Sequence, residues 1–204
     1  VKVFQPSESN HGLTNNEINE LCGDKNGRMY IRSGNDLIKL DIYTEQFTCL
    51  RQKGVYGLFC KKDTLWVSCA DGIYYYTGQG TELTFFARVQ KGFVGRALYV
   101  DKETVWVVTR KYLVAISRED PLRQEILLTL DKGNCILGDS SGNIWVGAWN
   151  GLYRISPNRE TTAYVSHSGM GELSDNQVRC VLEDDFKLYL GRYVQGNRLL
   201  RSGY

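Results

Sequence analysis

The chain has 204 residues, a formal net charge of +2, 42% hydrophobic and 24% charged residues. This is the composition of a soluble globular domain. The charge is too small, and Lys and Arg too interspersed with acids, to suggest a nucleic-acid surface, and no apolar run approaches the roughly 18 residues of a membrane-spanning helix. Three Pro against 21 Gly, with 13 Tyr and 4 Trp, point to an all-β protein rich in turns. No basic-then-apolar N-terminus marks a signal peptide. The chain opens at Val1 without Met, which reads as a mature or excised piece.

Short β-branched and aromatic runs, separated by Asp, Asn, Ser and Gly, recur along the chain as strand–turn–strand units. Aligned on the aromatic of the middle strand, Tyr30, Trp66, Trp106, Trp145 and Tyr189 stand 36, 40, 39 and 44 residues apart. A period of about 40 is that of four-stranded propeller blades. The first copy runs through Ile18–Leu21, Met29–Ile31, Leu37–Leu40 and Gln46–Leu50. The second is Tyr56–Cys60, Leu65–Val67, Ile73–Tyr76 and Leu83–Ala87. The third is Ala97–Val100, Val105–Val108, Tyr112–Ile116 and Glu125–Leu130. The fourth, the clearest, is Cys135–Leu137, Ile144–Val146, Leu152–Ile155 and Thr161–Val165. The fifth is Val178–Leu182, Leu188–Leu190 and Arg198–Leu200, with no fourth strand before the chain stops. Val1–Phe4 reads as an isolated strand that pairs with Arg198–Leu200 and closes the last blade, removing the sheet edges.

The expectation is one β-propeller domain over 1–204, with repeats at about 12–50, 54–87, 95–130, 133–165 and 173–204 and residues 1–4 as the closing strand. The five repeats fit either a closed five-bladed ring or a stretch of a larger, for example seven-bladed, propeller.

Gly12-Leu-Thr-Asn-Asn-Glu-Ile18 followed by Asp24-x-x-Gly27, Leu173-Ser-Asp-Asn-Gln-Val178, Asp139-Ser-Ser-Gly142-Asn-Ile-Trp-Val-Gly147 and Asn150-Gly-Leu-Tyr-Arg154 form an ordered pattern. It resembles the two-component regulator propeller repeat: Leu-Ser-Asn-Asn, Asp-x-x-Gly, Trp-Ile-Gly-Thr, Gly-Leu. The resemblance is strong in copies one, four and five; copies two and three keep the strands and the Trp but lack the Asp-x-x-Gly turn. That family forms the periplasmic sensor region of hybrid two-component histidine kinases in Bacteroides-type bacteria. The resemblance implies a periplasmic, non-catalytic sensor module that signals to a kinase in the remainder of a longer chain, with homodimerisation through the full-length receptor and no membrane contact in this segment.

Chemistry is sparse. His11 and His167 occupy equivalent turns of copies one and five, so repeat ancestry accounts for them, and no metal site is expected. Neither a nucleophile elbow nor a phosphate loop is present; Gly78-Gln-Gly80 is a turn. Asp24, Asp139 and Asp184 read as hairpin turn formers, since each fills the same turn of a different repeat. No catalytic residue and no cofactor is expected. The six cysteines, none in a Cys-x-x-Cys pair, read as small core residues; a disulfide between neighbouring strands stays open. Trp66, Trp106 and Trp145 read as core.

Binding has a more definite place. With strands A to D counted outward from the axis, the B–C turns and D-to-A crossovers share one face. The B–C turns collect Asn35, Asp36, Asp71, Arg110, Lys111, Trp149, Asn150, Arg192, Tyr193 and Gln195 around one mouth. Flat aromatics beside amide, acid and guanidinium groups suit an oligosaccharide or glycan fragment. Trp149 stands out because a Gly-containing turn has no need of a Trp. A scaffold for protein contacts is the second reading, and a propeller lyase or glycosidase the third.

Overall fold

The computed structural model of the chain describes residues 3–6, 12–166, 173, 176–185 and 187–192. The chain divides into two compact units, Val1–Val100 and Asp101–Tyr204. The first holds β1 (Ile18–Gly23), β2 (Arg28–Ser33), β3 (Asp36–Asp41), β4 (Phe47–Arg51), β5 (Val55–Lys61), β6 (Thr64–Cys69), β7 (Gly72–Tyr76), β8 (Thr84–Ala87) and β9 (Gly95–Val100). The second holds β10 (Thr104–Thr109), β11 (Tyr112–Ser117), β12 (Gln124–Thr129), β13 (Cys135–Gly138), β14 (Ile144–Ala148), β15 (Gly151–Ile155), β16 (Thr161–Tyr164), β17 (Val178–Asp184) and β18 (Lys187–Arg192). Each expected strand that falls on described residues is present within a residue or two, apart from the one at the N-terminus.

In the first unit, β1-β2-β3-β4 and β5-β6-β7-β8 are antiparallel meanders. In the second, β13-β14-β15-β16 repeats that order, and β10-β11-β12 follow the same up-and-down path. β17 and β18 form a two-stranded sheet among the described residues. Successive repeats stack through their inner strands: β5 on β1 and β2, β9 on β5 and β6, β17 on β13 and β14.

The sequence explains which strands lie inside. In the third and fourth repeats the second strand is covered on both faces, so it reads as a nearly continuous apolar run rather than an alternating one. Every residue of β10 and of β14 is buried. The outermost strand of the fourth repeat, β16, opens on two threonines and is largely exposed. Tyr30, Trp66, Trp106 and Trp145 are all buried, as expected for aromatics recurring at one strand position. Tyr189, aligned with them by spacing, stays 38% exposed.

Gly147 of the Trp-Val-Gly motif has a packing reason. A Cβ there would stand 2.7 Å from Val178 Cγ1 and 2.5 Å from the Cys135 Sγ. The glycine lets β17 approach β14. Gly27 and Gly142, which end the two Asp-x-x-Gly turns, have φ of 75° and 81°, a left-handed conformation that costs other residues strain.

Two expectations change. The cysteines are not uniformly core: Cys69 is buried, Cys22, Cys60 and Cys135 are half-buried, and Cys49 and Cys180 are exposed. Val3 and Phe4 form no strand; Phe4 sets its ring edge-on to Phe47 of β4 at 5.3 Å, and Pro6 bridges Leu13. Val1, Lys2 and the expected partner strand Arg198–Leu200 lie outside the described residues, as do His11 and His167.

Glu20 of β1 ties the first two repeats together. Its Oε2 accepts a hydrogen bond from the Leu58 backbone N–H at 3.0 Å and lies 3.5 Å from Arg32 Nε. Burial pushes its pKa up to about 7, against the opposing pull of Arg32 and the Leu58 N–H. An acid whose pKa rises on folding favours the folded chain while protonated. That contribution is whole below the unfolded value of 4.5 and is lost as pH rises through about 7. The urea midpoint of the wild type is therefore expected to fall from pH 4.5 to 7.5, and that of Glu20→Gln to stay level; superimposable profiles would remove Glu20 from the account. Gly147→Ala is expected to destabilise the chain by about 1–3 kcal/mol through overpacking, measured by denaturant unfolding, and an unchanged midpoint would show that β17 moves away freely.

Candidate functional site

The B–C turns and the D-to-A crossovers are tied to each other by the backbone. In the first unit, Val55 N–H donates to Asn35 O at 3.0 Å, Lys53 N–H to Asp36 Oδ1 at 2.6 Å, and Ala70 N–H to Gly54 O at 2.8 Å. In the second, Leu130 N–H donates to Lys111 O at 2.6 Å, Gly133 N–H to Arg110 O at 3.2 Å, and Trp149 N–H to Asp131 O at 2.8 Å. The Asp131 N–H donates to Asn150 Oδ1 at 3.1 Å. The crossovers from β4 to β5 and from β12 to β13 are thus each hydrogen-bonded to the B–C turns before and after them. Within each unit they form one continuous rim, as the strand topology requires.

The candidate residues have distinct situations on that rim. Asn35 and Asp36 serve the turn itself through the bonds just given. Asp71 is engaged: its Oδ1 lies 2.7 Å from Arg51 Nη2, its Oδ2 accepts from the Tyr74 hydroxyl at 2.8 Å, and the Arg51 guanidinium lies 4.7 Å from the Tyr74 ring centroid. Partial burial works against the charge on Asp71, but the Arg51 and Tyr74 hydrogen bonds outweigh it and hold the carboxyl below its ordinary value. Arg110 and Lys111 are exposed. Arg192 ends β18, and Tyr193 and Gln195 lie outside the described residues.

Trp149 is half-buried, and its ring is not bare. Lys132 Nζ lies 3.3 Å and the Arg179 guanidinium carbon 5.3 Å from the ring centroid. Cations are drawn to the negative face of an indole. Lys132 comes from the crossover between the third and fourth repeats, and Arg179 from the start of β17. The resulting cluster is an indole, two cations and the Asn150–Asp131 clasp, with Arg110 and Lys111 on the adjoining turn. Lys132, Arg179 and Arg51 were not among the sequence candidates. No spacing rule points to them: Lys132 enters from a crossover, Arg179 from the start of β17 and Arg51 from the end of β4.

The A–B turns on the opposite side are structural. Asp139 Oδ1 accepts from the N–H groups of Ser141 at 3.0 Å and Asn143 at 2.7 Å, and its Oδ2 accepts from the Trp145 indole N–H at 2.7 Å. Asp24 does the same with Asn26 and Arg28 N–H, and takes the Tyr30 hydroxyl at 3.3 Å. Partial burial alone would raise the Asp139 pKa; the Trp145 and Asn143 donors reverse that and hold it low. Asp24 and Asp139 are turn formers, as expected. Asp101 makes the same set, with Glu103 N–H, Thr104 N–H and the Trp106 indole at 2.8, 2.7 and 2.6 Å. The third repeat therefore keeps the aspartate although it lacks Asp-x-x-Gly. Its turn is one residue shorter, so the left-handed glycine is dispensable. An Asp five rather than six residues before the Trp was the available signal.

A second concavity, of about 900 Å³, lies on this turn side of the second unit. Lys102, Arg118, Arg123, Glu125 and Arg159 line it, with Arg159 Nη1 paired to Glu125 at 2.6 Å. Its charges are mixed, and one of its cations, Arg159, is already paired. Among the described residues no three His, Cys, Asp or Glu side chains come together as a metal site, and no helix is long and apolar enough to cross a membrane.

No protein-family model and no curated protein matches the sequence. Solved structures do. The extracellular domain of one hybrid two-component system of B. thetaiotaomicron superposes with a TM-score of 0.78 at 17% identity, over 96% of this chain and 28% of that one. A second such domain from the same organism gives 0.74 at 16% identity, over 92% and 27%. Virginiamycin B lyase from Staphylococcus aureus gives 0.66 at 11% identity, over 86% and 63%. The chain spans little more than a quarter of the length of the two sensor-system domains. At these identities the likeness establishes the fold: an all-β chain of repeated antiparallel sheets, built like these propeller-like proteins.

Proposed function

We propose that the chain is a ligand-binding β-propeller segment of an extracytoplasmic sensor, with its repeats as consecutive blades of one domain. It takes an oligosaccharide at the B–C rim and passes the change to a histidine kinase elsewhere in a longer protein. The observation that carries the binding reading is Trp149. An indole held on a rim turn, with its backbone fixed by Asp131 and two cations at its ring, is a preorganised stacking surface. Lys132 and Arg179 favour a saccharide carrying a carboxylate or sulfate, which would draw one cation off the ring as a sugar face takes its place. The periplasmic location and the sensing role rest on the resemblance of the repeats and on the fold shared with extracellular domains of hybrid two-component systems. A non-catalytic role agrees with the engagement of Asp24, Asp101 and Asp139 in turn hydrogen bonds.

A thermal-shift screen of neutral and acidic glycan fragments tests this. A saccharide at about 100 times its Kd is expected to raise Tm by roughly 5–10 °C for a chain of this size. Trp149→Ala should abolish the shift and Lys132→Ala should reduce it for acidic fragments alone. A panel without any shift, or release of products from a glycan by the purified chain, would overturn the proposal.

A further inference from the structure

Cys22 on β1 and Cys60 on β5 sit in the inner strands of successive repeats, 38 residues apart in sequence, about one repeat period. Both thiols are unbonded, and their Sγ atoms lie 2.7 Å apart. That is roughly 0.7 Å beyond the length of a disulfide bond, so a small side-chain rotation would join them. The pair is in the same cluster as Tyr30, Leu58 and Leu65. The Leu58 N–H bond to Glu20 fixes β5 against β1 two residues away on each strand. The meeting of the two sulfurs is thus held by backbone packing.

We propose that Cys22 and Cys60 form a disulfide that staples β1 to β5 when the chain folds in an oxidising compartment. The co-reactant is a disulfide donor of the glutathione or protein-disulfide class. One Cys thiolate attacks a sulfur of the donor, forming a mixed disulfide and releasing the first donor thiol. The other thiolate then attacks the Cys sulfur of that mixed disulfide, the Cys22–Cys60 bond forms, and the second donor thiol departs. The two thiol protons end on the two released thiols, and the donor gains the two electrons that the cysteines lose. The Cys60 contact and burial hold the Cys22 thiol well above its ordinary pKa, so in the folded chain exchange is slow. The bond is a structural staple made during folding rather than a rapid switch. It closes a loop containing β2, β3 and β4, and a loop of that length constrains the unfolded chain substantially.

The test uses the full chain, unfolded and refolded in a mixture of oxidised and reduced glutathione, alkylated and digested without reduction. The expected result is a linked peptide pair containing Cys22 and Cys60, absent after dithiothreitol. Tm in the oxidised state should exceed that of the reduced chain by about 10 °C, and the difference should vanish in Cys22→Ser and Cys60→Ser alike. Recovery of both cysteines alkylated after oxidative refolding would overturn the proposal, as would a reductant-induced drop in Tm that persists in both variants. The peptide map is read on the wild type, so it stands even if a variant fails to fold.

Discussion

A single carboxylate at the first hairpin of a repeat organises much of what surrounds it. Asp24, Asp101 and Asp139 each accept two turn N–H groups with one oxygen and an aromatic donor from the following strand with the other. The turn donors would otherwise be left without acceptors, and the indole N–H of a buried Trp needs a partner. A hydrogen bond to a charged acceptor is worth about 1.5–3 kcal/mol. One side chain therefore sets the turn, fixes the rotation of the aromatic and registers the first strand on the second. The aromatic then fills the space that the next sheet packs against.

With that side of the first, third and fourth repeats committed to architecture, variation is left to the other. The B–C turns carry no common side chain: Asn35-Asp36, Asp71, Arg110-Lys111 and Trp149-Asn150 differ in charge and shape. What they share is backbone hydrogen bonding to the crossovers. Such a rim holds its position while its side chains change, which is what a recognition surface on a rigid scaffold requires. The Asp71–Arg51–Tyr74 group and the Trp149–Lys132–Arg179 group are two local solutions on the same frame, the first closed by its own ion pair, the second with its charges on a π face.

The strands were legible because short β-branched runs between Asx-Gly turns have few other conformations, and because the two-sided burial of β10 and β14 leaves an unbroken apolar run. Trp149 was legible as a residue its turn did not need. Its cations were not: Lys132 and Arg179 are 17 and 30 residues away along the chain, and only the stacking of repeats brings them to the ring. The same holds for the approach of Cys22 to Cys60 and of Arg51 to Asp71. Asp101 was hidden by a shortened turn that dispenses with glycine. Sequence periodicity reports contacts within a repeat; contacts between repeats depend on how the sheets pack.

Indole hydrogen exchange tests the division between latched and rim aromatics most directly. In a ¹⁵N-labelled chain, the indole protons of Trp106 and Trp145 should exchange far more slowly than that of Trp149, and Asp101→Asn and Asp139→Asn should each accelerate only the indole bonded to that residue. Equal exchange at all three indoles, or acceleration of both by either variant, would contradict the account.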